Sequence, residues 1–288
     1  MPYALPSLPL LSLAEARALV PHHELVRTPW GTLRVLVTGA GPPVLLLHGV
    51  TDNAETFADL LPRLSRSATV HAIDLPGHGL SDIPPTPLDL RGAAEVVRCY
   101  MDTVGTASAV VVGWSMGGGV ALMLAREAPE RVRALVLLGS IGLPFPMPRS
   151  IGLLRLPGAG ETMPWLGQNA PLRRTVLRDT FHERFVPSDA VIERYWRPWR
   201  IRGRAPYIRA LLNQPRVLDQ ELPGLATIRT RAHVLHGDGD RVVPAEVGRG
   251  LARRLPDAIL HVLAGTGHSP HIERPDETLD AILAALGG

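Results

Sequence analysis

The sequence predicts an α/β fold around a mostly parallel sheet, and three observations carry that prediction. Short β-rich runs alternate with longer stretches of helical spacing over most of the chain. The central runs are apolar at consecutive positions, the pattern of strands covered by helices on both faces. The third observation is the stretch VVVGWSMGGGVAL, Val110 to Leu122, where an apolar run ends on a glycine-flanked serine and a helical pattern starts at once.

In chain order, strand-like runs occupy Leu33–Gly39, Pro43–Gly49, Ala68–Leu75, Ser108–Ser115, Val132–Ser140, Ala232–Asp238 and Ala258–Gly265. Helical spacing fills Phe57–Leu64, Leu88–Val104, Met116–Glu127, Ala245–Leu255 and Pro275–Leu286. Residues 144–226 break the rhythm: they have no strand-like run, and they hold Trp165, Trp196 and Trp199 with thirteen arginines against seven acids. This segment reads as a helical cap inserted into the sheet domain, dividing the chain into 1–143, 144–226 and 227–288. The alternative is an arginine-rich helical layer that continues the same fold.

The 288 residues, 45% of them hydrophobic, suffice for one large domain or a domain with an insertion. All thirty basic residues are arginine, and the formal net charge is +3. Arginine stays charged to very high pH, so this small excess places the isoelectric point near 9.6 without implying a nucleic-acid partner. Cys99 is the sole cysteine, which rules out an intramolecular disulfide and suits a reducing compartment. The opening MPYALPSLPLLSLAEARALVPHH has no basic leader and is broken by prolines, so it does not read as a signal peptide. No run reaches about 18 uninterrupted apolar residues, so no membrane span is expected. The expectation is a cytoplasmic monomer or homodimer.

A strand ending in Gly-x-Ser-x-Gly and turning straight into a helix is a nucleophile elbow. Gly113 and Gly117 suit it because side chains two positions from the serine would collide where strand and helix approach. The turn lifts the Ser115 hydroxyl out of the fold, and the Met116 backbone N–H points to where negative charge would develop. A serine hydroxyl is a poor nucleophile at neutral pH, so the reading demands a base and an acid that orients it. They should follow Ser115 in the order acid, then histidine. LHGDGDRVVP (Leu235–Pro244) supplies Asp240 and Asp238, and LAGTGHSPHIERP (Leu263–Pro275) supplies His268 and His271. Both stretches follow late strands, where side chains from separate strands can converge.

From about His48 to the C-terminus the chain resembles the α/β-hydrolases, in their cap-bearing, epoxide-hydrolase-like branch. Besides the elbow it carries HGVTDN (His48–Asn53) and DLPGHGLSD (Asp74–Asp82) in the matching order. The resemblance implies an eight-stranded, mostly parallel sheet with helices on both faces and a helical cap after the sixth strand. It favours Asp240 over Asp238, because the acid precedes Val-Val-Pro, and His268 over His271, which becomes a packing neighbour. It makes the Val50 amide a second oxyanion donor beside Met116 and DLPGHGLSD a structural loop. His48 reads as a brace of the oxyanion turn.

Trp114 either lines a pocket wall or packs in the core. Trp196 and Trp199 are expected to bind substrate from the cap. An apolar cap points to a hydrophobic ester, and its surplus arginines to steering of a carboxylate-bearing one. No metal or organic cofactor is called for. HERFV at His182 lacks the second histidine of a zinc motif, GAGPPV lacks the third glycine of a dinucleotide loop, and a phosphate loop needs a lysine. RYWRPWRIRGRAPY (Arg194–Tyr207) alternates arginine with aromatics as some single-strand nucleic-acid surfaces do. Within the cap it reads instead as pocket lining or an amphipathic helix.

A carboxylesterase or lipase-like serine hydrolase is therefore the leading expectation. Dehalogenases and epoxide hydrolases of the branch carry aspartate where Ser115 stands. Carbon–carbon hydrolases of ring-cleavage products share Ser-Met-Gly-Gly but favour asparagine before the serine and tryptophan after the histidine, where this chain has Trp114 and Ser269. Cofactor-free perhydrolases usually carry an aromatic where Val50 sits. From another class, a ligand receptor that kept the triad with little turnover is the alternative.

Overall fold

A computed structural model describes residues 10–19, 23–214 and 221–287. Residues 1–9 and 20–22 of the N-terminal stretch, and 215–220 of the 144–226 segment, lie outside the described residues. Eight strands form one sheet: β1 (Glu24–Thr28), β2 (Gly31–Thr38), β3 (Pro43–Leu47), β4 (Thr69–Ile73), β5 (Ala109–Trp114), β6 (Val132–Leu138), β7 (Ala232–Gly237) and β8 (Ala258–Leu263). Their spatial order is β1-β2-β4-β3-β5-β6-β7-β8. β2 is antiparallel to β1 and β4, and every other neighbouring pair is parallel.

The parallel centre follows from the apolar runs: all six residues of β5 and all six of β7 are buried. β1 is absent from the strand-like runs of the sequence. Its residues ELVRT are exposed or half-buried along their length, so an edge strand formed by pairing alone leaves no apolar signature. The chain passes from β3 to β4 on one side and returns to β5 on the other. That reversal opens a crevice at the carboxyl ends of β3 and β5, the usual place for a ligand in such sheets.

The helix Met116–Glu127 coincides with its expected bounds, and Leu90–Thr103, Ala245–Arg254 and Pro275–Gly287 lie within two residues of theirs. The helix expected over Phe57–Leu64 is instead two short turns, Ala54–Phe57 and Leu61–Leu64. The Asn53 side chain accepts the Glu55 N–H and starts the first turn early, while Pro62 fits only the opening turn of a new helix.

Between β6 and β7 the described residues contain no strand, only eight short helical segments from Arg149 to Thr227. Leu154, Met163, Phe181, Trp196 and Trp199 of this segment join the core built on the sheet. The Asp74 loop organises the opposite side of the crevice. Asp74 accepts the amides of Ala54 and Leu80, both at 2.6 Å, and pairs with Arg34, itself 1% exposed.

Candidate active site

Ser115 sits where β5 gives way to the helix Met116–Glu127, with φ 54° and ψ −117°. A non-glycine residue holds such a conformation only when its surroundings impose it. The cause is close approach: a Cβ on Gly113 would lie 2.4 Å from the Gly117 carbonyl oxygen, and one on Gly117 would lie 2.2 Å from that of Leu47. The two glycines let β3, β5 and the helix meet, and the turn has no other course.

The loops after β7 and β8 bring Asp240 and His268 to the same edge. His268 Nδ1 donates to Asp240 Oδ2 at 2.8 Å, leaving Nε2 as the basic nitrogen. The other carboxylate oxygen of Asp240 accepts the amides of Val242 and Val243, each at 2.8 Å. Burial would raise the Asp240 carboxyl, but the neighbouring His268 and His236 outweigh it and hold it well below the usual carboxylate range. His236, missed in the sequence, places Nε2 2.8 Å from the Val243 carbonyl and 3.3 Å from Asp240. Ser115 and His268 line one cavity. Among the described residues Ser115 Oγ has no hydrogen-bond partner.

His48 occupies the turn after β3. The Leu75 N–H donates to its Nε2 at 3.0 Å, so Nδ1 carries the proton and donates to the Gly49 carbonyl at 2.7 Å. Burial pushes its pKa down to about 4, keeping the ring neutral. The turn carries Val50 past the cavity wall. Neither the Val50 nor the Met116 N–H has an acceptor among the described residues.

Asp52, two residues on, is 1% exposed, and burial pushes its carboxyl up to about 8. Oδ1 accepts the Asn53 amide at 2.8 Å, while Oδ2 has no partner among the described residues. The folded protein therefore binds this proton more tightly than the unfolded chain. The stability it contributes is full below the unfolded pKa of about 3.9 and is lost as pH rises through the folded value. Asp52→Asn keeps the accepting oxygen and removes the titration, so its advantage over the native residue grows between pH 5 and pH 9. Thermal melts at both pH values check this, with a gain of about 3 °C or more expected at pH 9.

The alpha/beta hydrolase fold family matches residues 42–275, a span holding the serine turn, the helical segment after β6, and both Asp240 and His268. The chain belongs to the alpha/beta hydrolase fold family. A 2-hydroxymuconate semialdehyde hydrolase of Pseudomonas putida is 32% identical over 248 residues, covering 83% of this chain and 84% of that protein. A pimeloyl-acyl-carrier-protein methyl ester esterase of Xanthomonas campestris pv. campestris is 31% identical over 260 residues, covering 87% and 97%. The solved structure of a meta-cleavage product hydrolase from Pseudomonas fluorescens IP01 superposes with a TM-score of 0.80 at 23% identity, covering 92% of this chain and 97% of that one, and shows the shared fold.

In this α/β-hydrolase Ser115 and His268 open into a cavity of about 450 Å³. Its wall is mainly apolar and includes Trp196 and Trp199 from the segment after β6. Trp114 does both things left open by the sequence: it is 3% exposed and lines the cavity, and its Nε1 donates to the His268 carbonyl at 2.7 Å. His271 packs 4.7 Å from the Trp114 ring and bonds Thr56 Oγ1 through Nε2 at 2.9 Å. No arginine lines the cavity among the described residues. Arg173 and Arg174 pair with Glu193 and Asp189, and Arg194 and Arg197 pair with Asp59 and Glu55 of the sheet domain. In the Arg194–Tyr207 run the aromatics point inward, with Tyr195, Trp196, Trp199 and Tyr207 all buried. No helix among the described residues is long and apolar enough to cross a membrane.

Proposed function

We propose that this α/β-hydrolase is a serine esterase of neutral, hydrophobic carboxylic esters, with 144–226 as its cap. The observation that carries the reading is the cavity: an apolar space at Ser115 and His268 whose wall has no arginine and Asp179 as its sole acid among the described residues. Ser115 attacks the ester carbonyl while His268, oriented by Asp240, takes its proton. The Val50 and Met116 amides hold the oxyanion, a type of interaction worth about 3–4 kcal/mol per donor. Protonated His268 releases the alcohol, then draws a proton from water to free the acid from Ser115.

A second reading, hydrolysis of a carbon–carbon bond in ring-cleavage products, is favoured by the likeness to the P. putida hydrolase. A muconate-type substrate carries a carboxylate, and burying one against this wall without a cation costs several kcal/mol. That argument places the ester reading first.

The test is steady-state hydrolysis of p-nitrophenyl esters from acetate to dodecanoate, beside cleavage of 2-hydroxymuconate semialdehyde. The ester reading expects kcat/KM to rise about threefold to fourfold per buried methylene until the cavity is full. Trp196→Ala and Trp199→Ala enlarge the cavity and shift the preferred acyl chain upward by about two methylenes, leaving acetate turnover within about twofold. Unchanged profiles would remove both tryptophans from the substrate wall. Semialdehyde cleavage without ester turnover replaces the ester reading by the second. A burst of acylation with no steady state points to a receptor.

A further inference from the structure

The peptide groups around His268 are held by three segments far apart in the chain. The His268 N–H donates to the Thr180 carbonyl at 2.9 Å, and the His268 carbonyl accepts from Trp114 Nε1. The amides on either side, of Gly267 and Ser269, both donate to the carboxyl of Glu273, at 3.0 and 3.2 Å. The same carboxyl accepts the His182 amide at 2.8 Å. Glu273 is 7% exposed, so it bridges two backbone segments away from competing water.

Approach of these segments needs a bare backbone. A Cβ on Gly267 would lie 2.4 Å from the His182 nitrogen and 2.6 Å from the Phe181 carbonyl carbon. Phe181 is buried, edge-on to Tyr195 at 5.8 Å, and Tyr195 in turn bonds Ser269 Oγ at 3.1 Å. The other side of the same short segment faces substrate space: Leu177, Asp179 and Thr180 line the cavity. One stretch of backbone thus touches the acyl site and the histidine peptide together.

We propose that Glu273 is a positioning residue that couples the segment Leu177–His182 to His268, so that filling of the cavity by the acyl chain sets kcat as well as KM. The inference rests on the esterase reading for the role of His268. A long acyl chain packs against Leu177 and Thr180 and holds the segment in place. Through the Thr180 carbonyl and the Glu273 carboxyl that order reaches the peptide of His268. A short chain leaves the segment, and with it the imidazole, less restrained.

Glu273→Gln tests this, because an amide nitrogen replaces one of two accepting oxygens and faces a backbone N–H it cannot accept from. Active sites are counted by stoichiometric reaction with diethyl p-nitrophenyl phosphate, so a misfolded fraction does not enter kcat. The expected result is a fall in kcat for the octanoate ester of about 100-fold, with KM within about threefold. The octanoate-to-acetate ratio of kcat falls toward one, and Glu273→Asp restores part of both. A merely structural role would lower the melting temperature and leave kcat per titrated site unchanged. Should Glu273→Gln not fold, Phe181→Ala loosens the same segment from the other side and flattens the same ratio.

Hydrogen exchange gives a readout independent of turnover. In Glu273→Gln the amides of 180–182 and 267–269 exchange faster together, by about tenfold or more, while those of β5 are unchanged. A kcat within twofold of wild type, an equal fall for acetate and octanoate, or unchanged exchange at 180–182 each overturns the coupling. Wild type without ester turnover but with the joint exchange response would overturn the esterase reading and leave Glu273 as the bridge.

Discussion

Ser115→Ala lowers kcat for p-nitrophenyl butyrate by about 10⁴–10⁶-fold while the protein folds as before. On the proposed mechanism the size of the loss comes from removing the oxygen that would form the acyl-enzyme, and the amides of Val50 and Met116 and the cavity would supply the small remainder. The fold is spared for a local reason. Ser115 caps the helix Met116–Glu127 without a side-chain hydrogen bond, so alanine removes no cap and leaves no buried donor or acceptor without its partner. The comparison requires equal melting temperatures for the two proteins and loss of labelling by diethyl p-nitrophenyl phosphate in the variant. Turnover that survives at more than about 1% of wild type would remove Ser115 as nucleophile.

Gly117→Ala destabilises the protein by about 3–5 kcal/mol, a large effect for one methyl group. Its Cβ would lie 2.2 Å from the Leu47 carbonyl oxygen and 2.6 Å from that of His48, both backbone atoms of β3 and the turn after it. No side chain can swing aside, so the helix must move off the sheet. The turn bearing Val50 moves with it, and activity falls in proportion to the lost geometry. Gly152→Ala is the control. It lies in the helix Arg149–Leu153 with no atom within 4 Å of the added carbon, and alanine there is neutral or slightly stabilising. Urea unfolding of the two variants measures the contrast, and equal midpoints would refute the steric account of the elbow.

Much of the sheet was legible because its signals are local. Consecutive apolar residues mark β3, β5 and β6 whatever lies elsewhere in the chain, and glycine spacing around Ser115 marks the turn. β1 was not legible, since its residues carry no burial signal and the strand exists through pairing with β2. The arginine surplus of 144–226 is legible in the sequence as charge but not as placement. Charge counting carries no direction: Arg173, Arg174, Arg194 and Arg197 turn toward Glu193, Asp189, Asp59 and Glu55, and no arginine lines the cavity among the described residues.

By itself, then, the sequence determined the α/β class, the order of serine, acid and histidine, and the place where a helical segment interrupts the sheet. The class and the interruption follow from periodicity and from residue types at short spacing, whereas the order and the choice of Asp240 and His268 are what the resemblance to the α/β-hydrolases implies. Tertiary structure alone decided that His236 stands beside Asp240, that Glu273 gathers amides from both sides of His268, and that Trp114 holds a carbonyl 154 residues away. Those facts depend on which segments are brought together and on how much water is excluded between them. A buried carboxyl becomes a bridge, and a tryptophan a brace, only where the fold supplies partners that no local pattern records.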